Sequence, residues 1–456
     1  MPEPLAAPLA AAPPLAAAAS PLAAAPPLAA APGDLPQGAP APAALPAQLH
    51  VLSGLTAAQR QVVEHVGGPL LVVAGPGAGK TRTLTARLSH LIATAQVRPA
   101  EIVAVTFTRK AAAELQERLL AALGPPAREL AVGTFHRVAL LLRPLPAGTT
   151  LLGEGDRLLF AEHALEELGT LRPHQPAQLA PRLARVLSLL KGQRSDWLQG
   201  LASAAPAPTR LLDPAPASTE RALAAASAAS TATGLTDASP AAAELTGTSP
   251  AAQELVDELV GPHRQSFAAA AQRYAELLAQ HQAEDLDDLL LNALAALRAG
   301  TAARTFGYVA VDEYQDVSGV QRELLRALAA HAGVLAIGDP DQAIYAFRGA
   351  AVGHFHAFTH DFPGTAVVHL RENFRAASNL VAAAAAVIAH DPARAAPPPL
   401  ATRPAGAPLT RLTAPSPLAE ALCIVREIDS LVGGTSLLSH DARRAAAWAG
   451  PSYSFS

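Results

Sequence analysis

One cysteine, one methionine and two tryptophans stand among 456 residues, and aromatic side chains make up only 4% of the chain. A lone thiol, Cys423, excludes an internal disulfide and any cysteine-built zinc or iron–sulfur centre. The 15 histidines form no tight ligand pattern. No lysine or arginine precedes Arg60, so the basic start of a secretory leader is missing. Pro8, Pro13, Pro14, Pro21, Pro26 and Pro27 interrupt the early apolar stretch. No unbroken apolar run of about twenty residues reads as a membrane span. The net charge of −4 excludes a polycation, so any nucleic-acid surface must be a local patch. A cytoplasmic protein without a membrane partner is expected. The length allows about two to four domains. Half of the residues are hydrophobic, but alanine supplies much of that share and little core-forming power.

What is present begins with Ala74-Gly75-Pro76-Gly77-Ala78-Gly79-Lys80-Thr81. The run before it, Leu70–Val73, reads as a buried strand, and Leu84, Leu88 and Leu91 after it read as one face of a helix. Strand, glycine-rich turn and helix form the context of a phosphate-binding loop. Gly75, Gly77 and Gly79 let backbone N–H groups curl around a polyphosphate, and the helix N-terminus adds partial positive charge. Lys80 can reach the β- and γ-phosphates of ATP, and the Thr81 hydroxyl can bind Mg²⁺.

Residues 1–48 are almost wholly alanine, proline and leucine, with approximate PLAAA repeats, and read as a disordered or loosely helical tail. From about Leu52 the composition becomes globular. Strand-like runs at Leu70–Val73, Ile102–Val105, Tyr308–Val311, Val334–Ile337 and Ala366–Leu370 alternate with helical patterns. That alternation predicts an α/β fold, a parallel sheet covered by helices on both faces. The gap between the second and third runs predicts an inserted helical subdomain, with helices at Arg157–Leu168, Leu179–Leu190 and Ala268–Gln282. Its Ala/Ser/Thr/Pro-rich middle, about 202–250, reads as a flexible loop.

Tyr308–Val311 leads directly into Asp312-Glu313-Tyr314-Gln315-Asp316. Two carboxylates at the C-terminal end of a buried strand lie where open parallel sheets bind ligands. Asp312 suits Mg²⁺ and Glu313 suits activation of an attacking water.

These segments resemble the N-terminal part of a UvrD/Rep/PcrA-type superfamily 1 helicase. Leu55-Thr56-Ala57-Ala58-Gln59-Arg60 resembles the adenine-reading Q motif. Thr106-Phe107-Thr108-Arg109-Lys110-Ala111-Ala112 resembles motif Ia, and Gly133-Thr134-Phe135-His136 resembles motif Ib. The segment 312–316 is similar to motif II, 338–350 to motif III and 370–375 to motif IV, all in family order. The resemblance implies two RecA-like cores with ATP between them, and 3′→5′ stepping along DNA. It implies that Gln59, Arg82 and Phe374 hold the adenine, that Gln342 senses the γ-phosphate, and that Arg375 is an arginine finger. Phe107, Phe135, Tyr345 and Phe347 would stack on bases of single-stranded or partial-duplex DNA. Thr106, Arg109, Thr134, His136 and Arg348 would contact sugar or phosphate. Arg109 stands where the family usually has asparagine, and Phe347 where tryptophan is frequent.

The expected organisation is a first core over 49–140 and 282–368, the insertion over 141–281, and the start of a second core over 369–456. Motifs V and VI are not found. Little stand-alone turnover is therefore expected, and a separately encoded C-terminal half is one expected partner. A non-motor ATP-binding module is the alternative; a nuclease-complex subunit is a third reading, for which no nuclease carboxylate cluster is seen. The acidic run Glu284-Asp285-Leu286-Asp287-Asp288 is read as a helix N-terminus in preference to a second metal site.

Overall fold

The computed structural model describes residues 52–169, 175–193, 250–260, 264–345, 350, 352–391, 394 and 397–432. The tail at 1–48, nearly all of 202–250, and Phe347 and Arg348 lie outside the described residues.

Helix α1 (Ala57–Glu64) starts on a reciprocal cap: Thr56 Oγ1 accepts from Gln59 N, and Gln59 Oε1 accepts from Thr56 N. Such caps satisfy amides that the first helical turn leaves open. Strand β1 (Leu70–Ala74), helix α2 (Lys80–Ala93), strand β2 (Ile102–Val105), helix α3 (Arg109–Leu123), strand β3 (Ala131–Gly133) and helix α4 (Phe135–Leu142) follow. After the insertion come helix α9 (Leu286–Arg298), strand β6 (Tyr308–Val311), helix α10 (Gly319–Leu328) and strand β7 (Gly333–Gly338). Short helices α11 (Val352–His356) and α12 (Phe358–Asp361) lead to strand β8 (Ala366–Leu370).

Six strands form one sheet in the order β3–β2–β6–β7–β1–β8, and every neighbouring pair is parallel. This is the α/β fold, a RecA-like parallel sheet, that the sequence predicts. The inner strands are covered on both faces, so their residues meet apolar neighbours on either side, whereas Val367 of edge strand β8 is exposed. Leu70, Val72, Ile102, Ala104, Ala310, Leu335 and Ile337 pack with Leu84, Leu88, Leu115 and Leu119 from α2 and α3. The alternate residues, Leu71, Val103, Val105, Val309, Val311 and Ala336, pack with α4, α9, α10, α11 and α12. Strand β3 was not foreseen: it has three residues, too few to show a period.

The insertion begins at strand β4 (Thr150–Leu151) and carries helices α5 (Glu154–Glu166), α6 (Gln175–Gln193), α7 (Pro250–Val260) and α8 (Arg264–Gln280), followed by strand β5 (Ala283–Glu284). Its own core joins Leu165, Leu183, Leu187, Val256, Phe267 and Tyr274. Strands β4 and β5 pair in parallel, with Thr150 N donating to Gln282 O at 2.9 Å and Leu152 N to Glu284 O at 2.8 Å. Arg143 and Glu284, 2.7 Å apart, fasten the same place.

The acidic run opens α9. Asp285 Oδ1 accepts from Asp288 N at 2.9 Å, and Asp288 Oδ2 accepts from Asp285 N at 3.0 Å. The run has a second task that the sequence did not show. Lys191 of α6 lies 2.8 Å from Asp285 and 2.7 Å from Asp288. Arg157 of α5 is 3.7 Å from Asp285 and 3.5 Å from Asp287. Tyr274 and Ser188 donate hydroxyl hydrogens to Asp285 and Asp287.

Beyond the sheet, strand β9 (Glu372–Ala377) pairs in parallel with strand β10 (Leu400–Arg403), with helix α13 (Ser378–Ile388) between them. Helix α14 (Pro417–Val432) buries none of its side chains; Leu418, Leu422, Ile424, Val425, Ile428 and Leu431 are exposed. Among the described residues no helix is long and apolar enough to cross a membrane.

Under the sheet, His354 Nδ1 lies 3.0 Å from Val317 O, beside the buried pair of Arg322 and Asp361. Burial first, then Arg322, hold its imidazole below the ordinary 6.5, against the Val317 hydrogen bond and Asp361. The native state therefore takes up this proton less readily than the unfolded chain does. The contribution is complete above 6.5 and is lost as the pH falls. His354→Gln, which keeps a donor for Val317 O, should lose less stability than the wild type between about pH 7 and about pH 5. Urea unfolding at the two pH values measures this; equal losses would show that the imidazole charges without cost.

Candidate nucleotide site and nucleic-acid face

Because the sheet is parallel, its strands all end at one edge. The loop at 75–79 follows β1, Thr106 follows β2, Thr134 follows β3, Asp312 follows β6, Asp339 follows β7 and Arg371 follows β8. Ligands of open parallel sheets sit at this edge.

Gly77 and Gly79 take left-handed backbone angles, φ +71° and +81°. Gly79 caps α2 without a side chain, which leaves the amides of the first turn open. A Cβ on Gly77 would lie 2.7 Å from Arg375 Cβ and 2.8 Å from Asn373 Oδ1, so only glycine fits there. Gln59 is almost fully buried, and its Nε2 donates to Ala78 O at 3.0 Å. Its Oε1 is already held by Thr56 N. Each end of the amide thus holds one partner inside the chain, and the two bonds brace the loop against α1. Arg82 is exposed and donates to Ser53 O at 3.1 Å.

Strand β9 reaches back over the same loop. Asn373 Nδ2 donates to Pro76 O at 2.8 Å and Phe374 N donates to Gly77 O at 3.0 Å. Asn373 Oδ1 accepts from the backbone amides of Arg375 and Ala376. Phe374 is 47% exposed and Arg375 is also exposed, so both are available at the loop's rim.

Asp312 is buried and its Oδ1 accepts from Glu313 N at 3.0 Å. Glu313 has φ +51°, a left-handed angle rare for a residue with a side chain. Its Oε2 lies 3.4 Å from Lys80 Nζ and accepts from Gln315 Nε2 at 3.0 Å. Burial, then the charge of Glu313, push the Asp312 carboxyl up to about 6. The same two causes push Asp316 up to about 6. Thr81 is half-buried in the first turn of α2, next to Lys80, and its hydroxyl and the Asp312 carboxylate are the hard oxygens that could hold a Mg²⁺ ion. Gln342 is exposed, and its Nε2 donates to Asp339 Oδ2 at 2.6 Å.

On the expected DNA face, Phe107 and Tyr345 are both half-buried and stack on one another, centroids 5.1 Å apart and planes 26° apart. Arg109 is exposed at the start of α3. Thr134 is half-buried at the N-cap of α4. His136 is half-buried, and burial holds its imidazole low, aided by Arg109 and opposed by Asp287. Two expectations are corrected. Phe135 is only 4% exposed and belongs to the core beneath the sheet, so it offers no face to a base. Thr106 is buried and its hydroxyl donates to Thr108 O at 3.1 Å, fixing the turn into α3. Both follow directly on buried strands, and the sequence alone does not separate such positions from the exposed ones beside them. Asn373 and Gln315 bind the site's parts together, a role that the motif resemblance does not assign them.

Residues 55–363 match the UvrD/REP helicase N-terminal domain family. The chain is 31% identical over 422 residues to ATP-dependent DNA helicase UvrD1 of Mycobacterium tuberculosis (strain ATCC 25618 / H37Rv), covering 88% of this chain and 47% of that protein. It is 30% identical over 351 residues to ATP-dependent DNA helicase PcrA of Bacillus subtilis (strain 168), covering 74% and 40%. With ATP-dependent DNA helicase Rep of Escherichia coli (strain K12) the identity is 29% over 352 residues, covering 74% and 44%. The chain thus spans less than half the length of these relatives. A parallel sheet with phosphate loop and paired carboxylates on one edge, and a match over 55–363, establish that this chain belongs to the UvrD/REP helicase family through its N-terminal domain.

Proposed function

We propose that this chain is the nucleotide-binding half of an ATP-dependent 3′→5′ DNA helicase or translocase. The observation that carries the reading is the meeting of Lys80 with Glu313, beside buried Asp312, at the ends of β1 and β6. Lys80 and the open amides of α2 bind the phosphates, and Arg82 and Phe374, both exposed, pack on the adenine. Thr81 and Asp312 would hold Mg²⁺, whose chemistry is to neutralise charge on the transferred phosphoryl group. Glu313 orients and deprotonates the attacking water. Gln342 reports the γ-phosphate, and Arg375 stabilises charge in the transition state. Phe107, Tyr345 and Phe347 stack on single-stranded DNA, with Arg109, Thr134, His136 and Arg348 on its backbone.

In this reading the first core is 49–140 with 282–368, the helical insertion is 141–281, and 369–456 opens the second core. The exposed apolar face of α14 favours association with a second helicase half, on further residues or on a separate polypeptide. Hydrolysis and unwinding are, in this reading, the work of both cores together. A cytoplasmic location and work in DNA repair or recombination belong to the same proposal.

Titration calorimetry tests the site itself. Mg·ATP should bind the wild-type chain, and Lys80→Ala should bind it more weakly, because a charge-assisted contact contributes about 1.5–3 kcal/mol. Equal affinities would refute the assignment.

A further inference from the structure

Arg87 of α2 is 3% exposed, and among the described residues no carboxylate pairs with it. Burying a cation in this way is costly, so its surroundings must hold it. Its Nη1 donates to Val63 O at 2.8 Å, and its Nε donates to the Tyr308 hydroxyl at 3.2 Å. Val63 stands in the last turn of α1, where helix carbonyls lack partners and carry partial negative charge. The guanidinium carbon is also 5.6 Å from the centre of the Tyr308 ring, whose face attracts cations. Burial holds the Tyr308 phenol above its ordinary 10, against the pull of Arg87, so the hydroxyl is neutral and accepts.

Tyr308 opens β6, whereas α2 follows β1, and β7 lies between those two strands. The Tyr308 ring crosses over Gly333 of β7, its register partner. A Cβ on Gly333 would lie 2.7 Å from Tyr308 Cδ2 and 3.0 Å from Cε2. Gly333 has no left-handed backbone angle, so it is the ring that excludes a side chain there. Lys80, at the start of α2, lies 3.4 Å from Glu313, just beyond the end of β6. Arg87, about 10 Å further along α2 at ~1.5 Å per residue, meets Tyr308 at the start of β6. Helix and strand are thus joined twice, once at the ligand edge and once at the opposite edge of the sheet.

We propose that Arg87 is a positioning residue of the nucleotide site. It holds α1 and α2 to β6, so that the two sides of the site keep their spacing when Lys80 leaves Glu313 for the phosphates. The inference rests on the nucleotide reading above. The phosphate loop, Lys80 and Thr81 belong to β1 and α2, whereas Asp312 follows β6. Phosphates alone need only the first group. A divalent cation held by Thr81 and Asp312 needs both, and with Lys80 withdrawn the Arg87–Tyr308 bond still joins them.

Titration calorimetry of the full chain with ATP, once with Mg²⁺ and once with EDTA, tests this. In the wild type the cation should tighten binding by about tenfold or more, as one charge-assisted contact does. Tyr308→Phe keeps the ring over Gly333 and removes the acceptor, and Arg87→Met removes the guanidinium and keeps much of the aliphatic stem. Both should bind metal-free ATP within about twofold of the wild type, the scatter usual for sites away from the ligand. Both should lose most of the gain from Mg²⁺. A merely structural role would lower the unfolding midpoint and leave that gain intact. No ATP binding by the wild type in either condition refutes the nucleotide reading itself. A wild type that binds ATP but is indifferent to Mg²⁺ overturns the role of Arg87. So does a gain preserved in both variants, while the nucleotide site stands. If Arg87→Met does not fold, Tyr308→Phe decides alone.

Discussion

Lys191→Met is expected to destabilise the chain by about 3–5 kcal/mol, the usual cost of removing one partner from a buried ion pair. Lys191 is 1% exposed and stands between Asp285 and Asp288, with Asp287 close by. Methionine keeps most of the aliphatic length, so packing changes little and the loss is mainly electrostatic. Arg157 alone then faces three carboxylates at the joint between α5, α6 and α9. Thermal unfolding should show a midpoint lower by roughly 2–4 °C for each kcal/mol lost. The pH dependence gives the sign. Burial pushes the Asp288 carboxyl up to about 6, and Lys191 holds Asp285 low against its own burial. Without the ammonium, the native state binds protons more tightly than the unfolded chain. The variant's deficit should be largest above the raised values and should shrink as the pH falls through about 6. A variant as stable as the wild type at neutral pH would show that the ion cluster is not what holds the insertion to α9.

Glu313→Gln should lower ATP turnover by about 10²–10⁴-fold, the range for loss of a general base. The measurement is single-turnover hydrolysis with single-stranded DNA, on the chain extended by the remaining half of a relative. Glutamine retains the bulk and an acceptor for Gln315 Nε2, so the left-handed turn at 313 and its neighbours keep their partners. It loses the charge that pairs with Lys80 and the ability to take a proton. Mg·ATP affinity should hold or rise, because Lys80 no longer has an anionic competitor 3.4 Å away. A variant that hydrolyses ATP at the wild-type rate would assign the base elsewhere, with Asp316 the next carboxylate on that edge.

The parts of the fold written in short range were legible. Runs such as Val309–Val311 and Leu335–Ile337 are apolar at every position, which is how a strand covered on both faces reads. The phosphate loop and Asp312-Glu313 announced the sheet edge that holds them. What the sequence concealed depends on partners far along the chain. Lys191 meets Asp285 across 94 residues, and Phe107 stacks on Tyr345 from a different strand end. Neither pairing has a local pattern. Phe135 and Phe107 both sit just beyond short strands; one turns into the core and one remains half-exposed, a difference set by α4 packing under the sheet. Gln59 was readable as a site residue, but its engagement with Ala78 depends on how α1 lies against the loop.

The small ribbon of β4 and β5 has a consequence for how such a chain can change over evolutionary time. It brings residues 150–151 beside 283–284, so the segment between them leaves and rejoins the core at one point. A graft with its ends already joined imposes no tension on its host. Its closure entropy grows only with the logarithm of its length, about 0.6 kcal/mol per doubling. Residues can therefore be gained or lost there while the six-stranded sheet keeps its register, and the helical module can diverge in size and surface while the nucleotide edge stays the same.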